Sequence, residues 1–296
     1  MLKSLKSWPW LVLTPALIFV LIGIFAPWIM THDPAAQDYD ALLEGPSWQH
    51  FFGTDYLGRD IFSRIIGGAR ISLVAMSVVL VAALAIGVVI GSFAGYVGGR
   101  VELALISVID IALALPSLVI ALALIGILGT GYWSMITALT LAWWANYARM
   151  SRAVVTAELQ QPYIEAARVM GGSHLWIFTR HILPHVLALV VVYASADAGA
   201  LVLAIATLSF LGLGVAPPTP EWGQMLVDGM SYIEETPALV VIPGLALTLV
   251  VVSFNLLGEA FALQKVPRAV RGGVLRRRKA LRAAEVQARA VVEDAA

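Results

Sequence analysis

Long apolar runs constrain this chain more than any other feature of its sequence. A helix that crosses the hydrocarbon core of a bilayer needs about 20 mainly apolar residues. The sequence is 60% hydrophobic and 13% charged, against about 45–50% and about 25% in soluble domains. It therefore predicts an all-α integral membrane protein with about six transmembrane helices. The candidate spans are Leu11–Met30, Ser72–Tyr96, Leu103–Leu128, Trp133–Ala148, Val186–Leu208 and Ala238–Leu263.

Basic residues predict the orientation of these spans, because cytoplasmic segments carry an excess of lysine and arginine. With the N-terminus inside, sixteen of the 19 basic residues lie on the inner side and only Arg59, Arg64 and Arg70 lie outside. Both termini are then cytoplasmic, and the protein is expected in the inner (plasma) membrane. The resulting map has an N-terminal segment at 1–10, a transmembrane region at 11–263, outer loops at 31–71 and 209–237, an inner loop at 151–185 and a basic tail at 264–296.

The inner loop contains the sequence Gln161-Pro-Tyr-Ile-Glu-Ala-Ala-Arg-Val-Met-Gly-Gly172. Pro162 suits the first turn of a helix, and Gly171 and Gly172 can end one. Tyr163, Ala166, Ala167 and Met170 follow the spacing of one apolar helix face. Periodicity alone leaves open an amphipathic helix that lies on the membrane.

Residue order favours a more specific interpretation. Glu165-Ala166-Ala167, Gly171 and Leu183-Pro184 resemble the "EAA" loop of bacterial ABC importer permeases. Two further segments, residues 52–73 and 210–223, resemble the dipeptide, oligopeptide and nickel permeases, and most closely their "C" subunit. The resemblance covers most of residues 10–260. It implies the type I ABC importer permease fold, with the inner loop as the coupling helix.

The resemblance also implies a set of partners. Glu165, Ala166 and Ala167 would dock in a groove of an ATPase subunit, Gly171 would make the turn, and Leu183-Pro184 would complete the motif. The assembly would contain a second related permease chain, two ATPase subunits and an extracytoplasmic substrate-binding protein. This chain would also contact membrane lipid. Di- or oligopeptides are the expected substrates, and a nickel or metal-chelate importer is the alternative.

Charged residues within the predicted spans are candidates for the translocation pathway, because a charge in the bilayer is costly without a partner or water. Asp110 and Asp197 are the two candidates, and a structural hydrogen bond to a neighbouring helix explains either of them equally well. Pro116 predicts a break in the third span. Gly87, Gly91 and Gly95 predict close helix packing on the second.

Several kinds of chemistry find no support in the sequence. It has no Gly-x-x-x-x-Gly-Lys-Ser/Thr motif, so we expect no catalytic residues and no bound cofactor, with ATP bound by partner subunits. There is no cysteine, and no metal site is predicted from the histidine spacing. The zero net charge suggests no nucleic-acid partner. The rival from another class is an ion-coupled secondary transporter that uses Asp110 and Asp197 as its coupling site.

Overall fold

The computed structural model describes residues 9–265, and the side chains of residues 14–261. The predicted basic tail and most of the predicted N-terminal segment lie outside these residues. Residues up to Gly258 form one compact unit, and Glu259 begins a second. The helices in chain order are α1 (Pro9–Ile29), α2 (Ile61–Val97), α3 (Gly99–Leu113), α4 (Ser117–Leu128), α5 (Tyr132–Leu159), α6 (Pro162–Val169), α7 (His174–Ile177), α8 (Leu183–Phe210), α9 (Trp222–Met230) and α10 (Ala238–Lys265).

Three of these helical stretches are long and apolar enough to cross a membrane: Ile61–Val97, His174–Phe210 and Ala238–Phe261. The α3–α4 pair makes a fourth if it is counted as one span. The first and fourth predicted spans coincide with α1 and α5, but Thr14–Ile29 is a shorter apolar helix. Helix α5 continues past the apolar part and carries Arg149, Arg152 and Glu158 near its end.

The third predicted span is not a single helix. It breaks between Leu113 and Ser117, and its two halves meet at 86°. Pro116 lies at this break, where its missing N–H and its ring are incompatible with a continuous helix. Helix α4 restarts at once, because the carbonyl of Pro116 accepts the first backbone hydrogen bonds of the new turn, from Val119 and Ile120.

Helices α2 and α5 make the most extensive helix–helix contact in the described residues. The predicted glycines lie in this contact and confirm the expectation of close packing. A Cβ atom added to Gly91 would lie 2.0 Å from the carbonyl oxygen of Ala148, and one on Gly87 would lie 2.6 Å from that of Trp144. The two backbones therefore touch, and a larger residue at Gly91 would force them apart.

The main apolar core forms where α2, α5 and α8 meet, with α4, α9 and α10 against it. A second apolar cluster surrounds the buried side chain of Tyr147 and includes Val155, Ile164, Ile177 and Val186. This second cluster anchors the segment between α5 and α8.

Candidate coupling and translocation site

The segment that connects α5 to α8, which we term the elbow (Gln161–Ile182), folds as local chemistry predicts. Helix α6 begins at Pro162 in its first turn. It ends at Gly171, whose φ of +87° is unfavourable for any residue with a side chain. The Gly172 N–H then donates to the carbonyl of Ala167 at 3.0 Å. Ser173 starts α7 by accepting a hydrogen bond from the Trp176 N–H.

Of the four residues on the predicted apolar face of α6, only Ala167 is buried within this chain. Ile164 and Ala167 are buried, whereas Tyr163, Ala166 and Met170 are exposed. The inward face of so short a helix is determined by the surface beneath it, and Ile164 and Ala167 are the residues that enter the second apolar cluster. Ala167 therefore packs inside this chain, and of the two alanines only Ala166 is available to a partner.

Four large apolar side chains project from the elbow. Val169, Met170 and Leu175 are 84%, 80% and 73% exposed, and Trp176 is about half exposed. We call these four residues, with Glu165 and Ala166 beside them on exposed α6, the elbow face. Large contiguous apolar surfaces on a folded chain mark interaction sites. The elbow face therefore has the character of a docking surface.

The last two motif residues lie at the start of α8. Leu183 is partly buried against the second apolar cluster, and Pro184 is exposed in the first turn. Pro184 does not open a separate helix, however, because a π-helical turn over Phe178–Ile182 joins α7 directly to α8. The helical path into the fifth predicted span thus begins at His174.

The elbow is also bonded to the end of α2. The Tyr96 hydroxyl donates to the backbone carbonyl of His174 at 2.9 Å, and its ring meets Phe178 edge-on. These contacts tie the elbow to a second long helix besides α5 and α8.

The two candidate pathway residues each have a partner on α5. The Arg149 guanidinium donates to Asp110 at 2.7 Å, and both side chains are more than half exposed. The Tyr147 hydroxyl donates to Asp197 at 2.8 Å in a more enclosed position. Residues two apart on a helix do not face each other, so Asp110 and Asp197 contact different sides of α5. The structure does not bring them into one site.

The opposite end of α2 holds a buried charge cluster, formed by Asp55, Arg59, Arg64 and Asp228. Arg59 Nε lies 2.7 Å from Asp55, and Arg64 Nε lies 3.5 Å from the same carboxylate. Both arginines also reach Asp228, at 3.5 and 3.9 Å. Arg59 and Arg64 of the outer side are thus both ion-paired, while Arg70 is exposed. The role of Asp228 was not predicted, because it comes from a distant segment.

Helix α9 closes this end of the molecule. Glu221 caps the helix by accepting from the Gln224 N–H, and it also accepts from the Ser72 hydroxyl on α2. Burial raises the pKa of Glu221, and the hydrogen bonds from Ser209, Gln224 and Ser72 oppose that effect. Trp222 is fully buried, and its indole N–H donates to the Ile65 carbonyl at 3.1 Å. These contacts fasten the start of α9 to the first half of α2.

A family model for the "binding-protein-dependent transport system inner membrane component" matches residues 87–269. The chain is 41% identical over 243 residues to the nickel transport system permease protein NikC of Escherichia coli strain K12, covering 82% of this chain and 88% of that one. It is 40% identical to the di/tripeptide transport system permease protein DppC of Pseudomonas aeruginosa UCBPP-PA14, covering 82% of both chains. It is 38% identical to the probable D,D-dipeptide transport system permease protein DdpC of E. coli K12, covering 90% of both.

Among solved structures, a chain from an amino acid ABC transporter with histidines matches with a TM-score of 0.51. The two chains are 20% identical, and the match covers 69% of this chain and 94% of the other. At that identity the likeness concerns the fold, and it agrees with the predicted permease architecture.

Proposed function

This chain belongs to the family of binding-protein-dependent transport system inner membrane components, and from that premise we propose that it forms half of the translocation pathway of an ATP-driven importer. It is a permease subunit. The other half of the pathway would come from a second, homologous permease chain. A substrate-binding protein would deliver the substrate on the side of the charge cluster, and two ATPase subunits would dock on the other side, one on each elbow.

The observation that carries this proposal is the elbow face. Val169, Met170 and Leu175 are largely exposed, and Val169 and Met170 lie one helical turn after Glu165 and Ala166 of the predicted coupling motif. An ATPase groove that covers Val169, Met170, Leu175 and Trp176 would remove them from water, with a gain of about 25 cal/mol for each Å² of apolar surface. Binding energy of this kind lets closure of the ATPase dimer move the elbow.

ATP hydrolysis is assigned to the partner subunits. The chain has four lysines, Lys3, Lys6, Lys265 and Lys279, and none of them follows a glycine. A phosphate-binding P-loop needs that Gly-Lys pair. We therefore expect the purified permease subunit to show no ATP turnover above contaminant level.

Di- or oligopeptides are the proposed substrates, by analogy with the di/tripeptide and D,D-dipeptide relatives. A nickel chelate is the second candidate, and the 41% identity to a nickel permease favours it. Uptake assays in a strain that lacks its own peptide and nickel importers would separate the two, since each substrate class can be supplied alone.

The ion-coupled alternative loses its main support from the geometry. Asp110 and Asp197 would have to share a coupling ion, but their partners lie on different sides of α5. Carboxylates that bind one ion must converge on it.

Ala166→Trp in the reconstituted importer tests the coupling role. The side chain of Ala166 is exposed, so the added bulk should leave folding and membrane insertion intact. We expect the binding protein to stop stimulating ATP hydrolysis. Ala166→Ser, which stays small, is the matched control and should keep normal stimulation. Full stimulation in the tryptophan variant would exclude the elbow as the coupling element. Ala167→Trp is less informative, because overpacking of a buried residue would cause failure on its own.

The proposed orientation has its own test. Reporter fusions after Gln49 and after Ala280 should report opposite sides of the membrane, the former outside and the latter cytoplasmic. Signals from the same side would overturn the orientation.

A further inference from the structure

Three potential metal ligands from separate parts of the sequence meet beside the N-terminus of α2. They are His32, His50 and Asp60, and their ligand atoms all lie within 4.8 Å of one another. His50 Nδ1 is 3.0 Å from Asp60 Oδ1, and His32 Nδ1 is 3.9 Å from Asp60 Oδ2. The two imidazole rings lie next to each other, with centroids 4.8 Å apart.

The carboxylate of Asp60 has an unusual set of neighbours. Its side chain is 1% exposed, and one oxygen caps α2 by accepting from the Ser63 N–H at 2.8 Å. The two nearest arginines in sequence, Arg59 and Arg64, direct their guanidinium groups to Asp55 and Asp228 instead. In the part of the chain that the structure describes, the ion pairs of Asp60 run to the two histidines. In the described residues no arginine or lysine pairs with the negative charge of this buried carboxylate, so a bound cation could neutralise it.

The spacing of the three groups matches what a transition metal requires. Metal bonds to imidazole nitrogen and carboxylate oxygen are about 2.0–2.2 Å long, so two ligand atoms at the tetrahedral angle are separated by about 3.3–3.6 Å. The observed separations of 3.0 Å and 3.9 Å lie just below and just above this range, and small rotations of the two imidazole side chains would bring both into it. The side chain of His32 is 42% exposed, which gives an ion a route from solvent and leaves room for a water ligand.

From this geometry we propose that His32, His50 and Asp60 bind one divalent first-row transition-metal ion. Imidazole ligands suit zinc, nickel, copper and iron, whereas calcium and magnesium prefer oxygen alone. Each histidine would supply Nδ1 as a neutral imidazole with its proton on Nε2. The ion is a ligand of the permease itself, so the proposal is independent of which substrate the importer carries.

Such an ion would cross-link two segments. His32 follows α1, and its backbone N–H already donates to the Ser63 hydroxyl at 3.0 Å. His50 lies in the loop that leads to the charge cluster. Binding would therefore fasten the connection between α1 and α2 to the first turn of α2, and it should raise the thermal stability of the complex.

Cobalt titration of the complete importer tests the site. The complex is purified without a histidine tag, stripped with chelator, and titrated with Co²⁺ at pH 7.5. Visible absorption reports the ligand set, and elemental analysis reports the stoichiometry after desalting. The variants His32→Ala, His50→Ala and Asp60→Asn are compared with the wild type, and His185→Ala is the control. Asn keeps the helix cap of Asp60 but removes the anionic ligand, so its fold should be retained.

We expect the wild type and His185→Ala to bind one more Co²⁺ per complex than each of the three variants. We also expect Zn²⁺ to displace the cobalt and to raise the melting temperature of the wild type and of His185→Ala, but not that of the three variants. Equal stoichiometry in the wild type and the three variants would overturn the proposal. An absence of cobalt binding would overturn it too, and would leave the histidines as hydrogen-bond partners of Asp60. Neither result depends on transport, so a failure here is distinct from a failure of the proposed function.

Discussion

The charge cluster and the elbow face lie at opposite ends of α2 and satisfy their side chains in opposite ways. In the cluster, Arg59 and Arg64 are 2% exposed, and each has carboxylate partners within the chain. On the elbow face, Val169 and Met170 are at least four-fifths exposed. One end is complete within this subunit, whereas the other end exposes the apolar surface that we propose is covered by an ATPase subunit.

This difference follows from the energetics of each type of group. Removing a charge from water costs several kcal/mol, and good geometry with partners is needed to offset that cost. A buried charge needs its partners in place at all times, so the chain supplies the carboxylates and guanidinium groups of the cluster itself. Apolar groups can remain exposed until a partner arrives, because their burial needs no particular direction. On the proposed function, the elbow can therefore bind and release its partner, while the ion pairs of the cluster stay in place.

The largest expected effect comes from breaking the cluster. Arg59→Met would leave Asp55 and Asp228 buried with one guanidinium fewer, and losing one partner of a buried pair costs about 3–5 kcal/mol. We expect a large drop in the yield and melting temperature of the assembled complex. Arg168→Met, on the exposed surface of the elbow, is the matched control and should leave both unchanged. Equal stability of the two variants would mean that the ion pairs of Arg59 contribute no more to stability than the exposed Arg168 does.

A smaller effect should separate the two tryptophans. Trp222→Phe removes the indole donor to the Ile65 carbonyl and leaves a gap at a fully buried site, and the lost hydrogen bond and the cavity together should cost about 1–3 kcal/mol. Trp176→Phe on the elbow face should change stability by less than about 0.5 kcal/mol. Thermal melting of the two purified variants side by side gives the comparison. A larger loss in Trp176→Phe would show that the elbow is also packed by its own chain.

The smallest expected effect sharpens the picture of the elbow itself. Gly171 has φ +87° and open space around its Cβ position. Gly171→Ala should therefore meet no steric clash and should lower the stability of the elbow only by the cost of placing alanine in the left-handed conformation, about 1–2 kcal/mol. Amides of α6 should then exchange with deuterium about fivefold faster or more. Gly171→Asn should have a weaker effect, because Asn tolerates this region. Identical exchange in both variants would mean that backbone conformation is not the cause.

Local chemistry explains what could be predicted from the sequence. Pro162 and Gly171 bound a helix by their own backbone preferences, and Gly91 indicates close packing because of its size alone. The break at Pro116 follows from the same kind of argument. These features need no knowledge of the surrounding structure.

The remaining features depend on contacts between distant segments. Helix α2 begins at Ile61, well before the predicted span starts at Ser72, and this additional part carries Arg64, whose partners Asp55 and Asp228 come from other segments. The inward face of α6 is determined by the cluster beneath it. The convergence of His32 and His50 on Asp60 has no signature in sequence spacing, since the three are separated by loops.

The length of α2 allows it to connect the charge cluster to the elbow and to transmit motion between them. Its 37 residues span about 55 Å at 1.5 Å per residue, with Arg64 of the charge cluster near one end and Tyr96, which bonds to the elbow, near the other. Backbone contact at Gly91 fixes α2 to α5, so the two helices would move together as one rigid body. Other segments are bonded to α2 at each of its ends. A push of a few ångströms at the elbow would tilt this pair of helices and displace the loops at its far end by a comparable distance. The intervening side chains could keep their rotamers throughout, and the signal would travel as a change of angle.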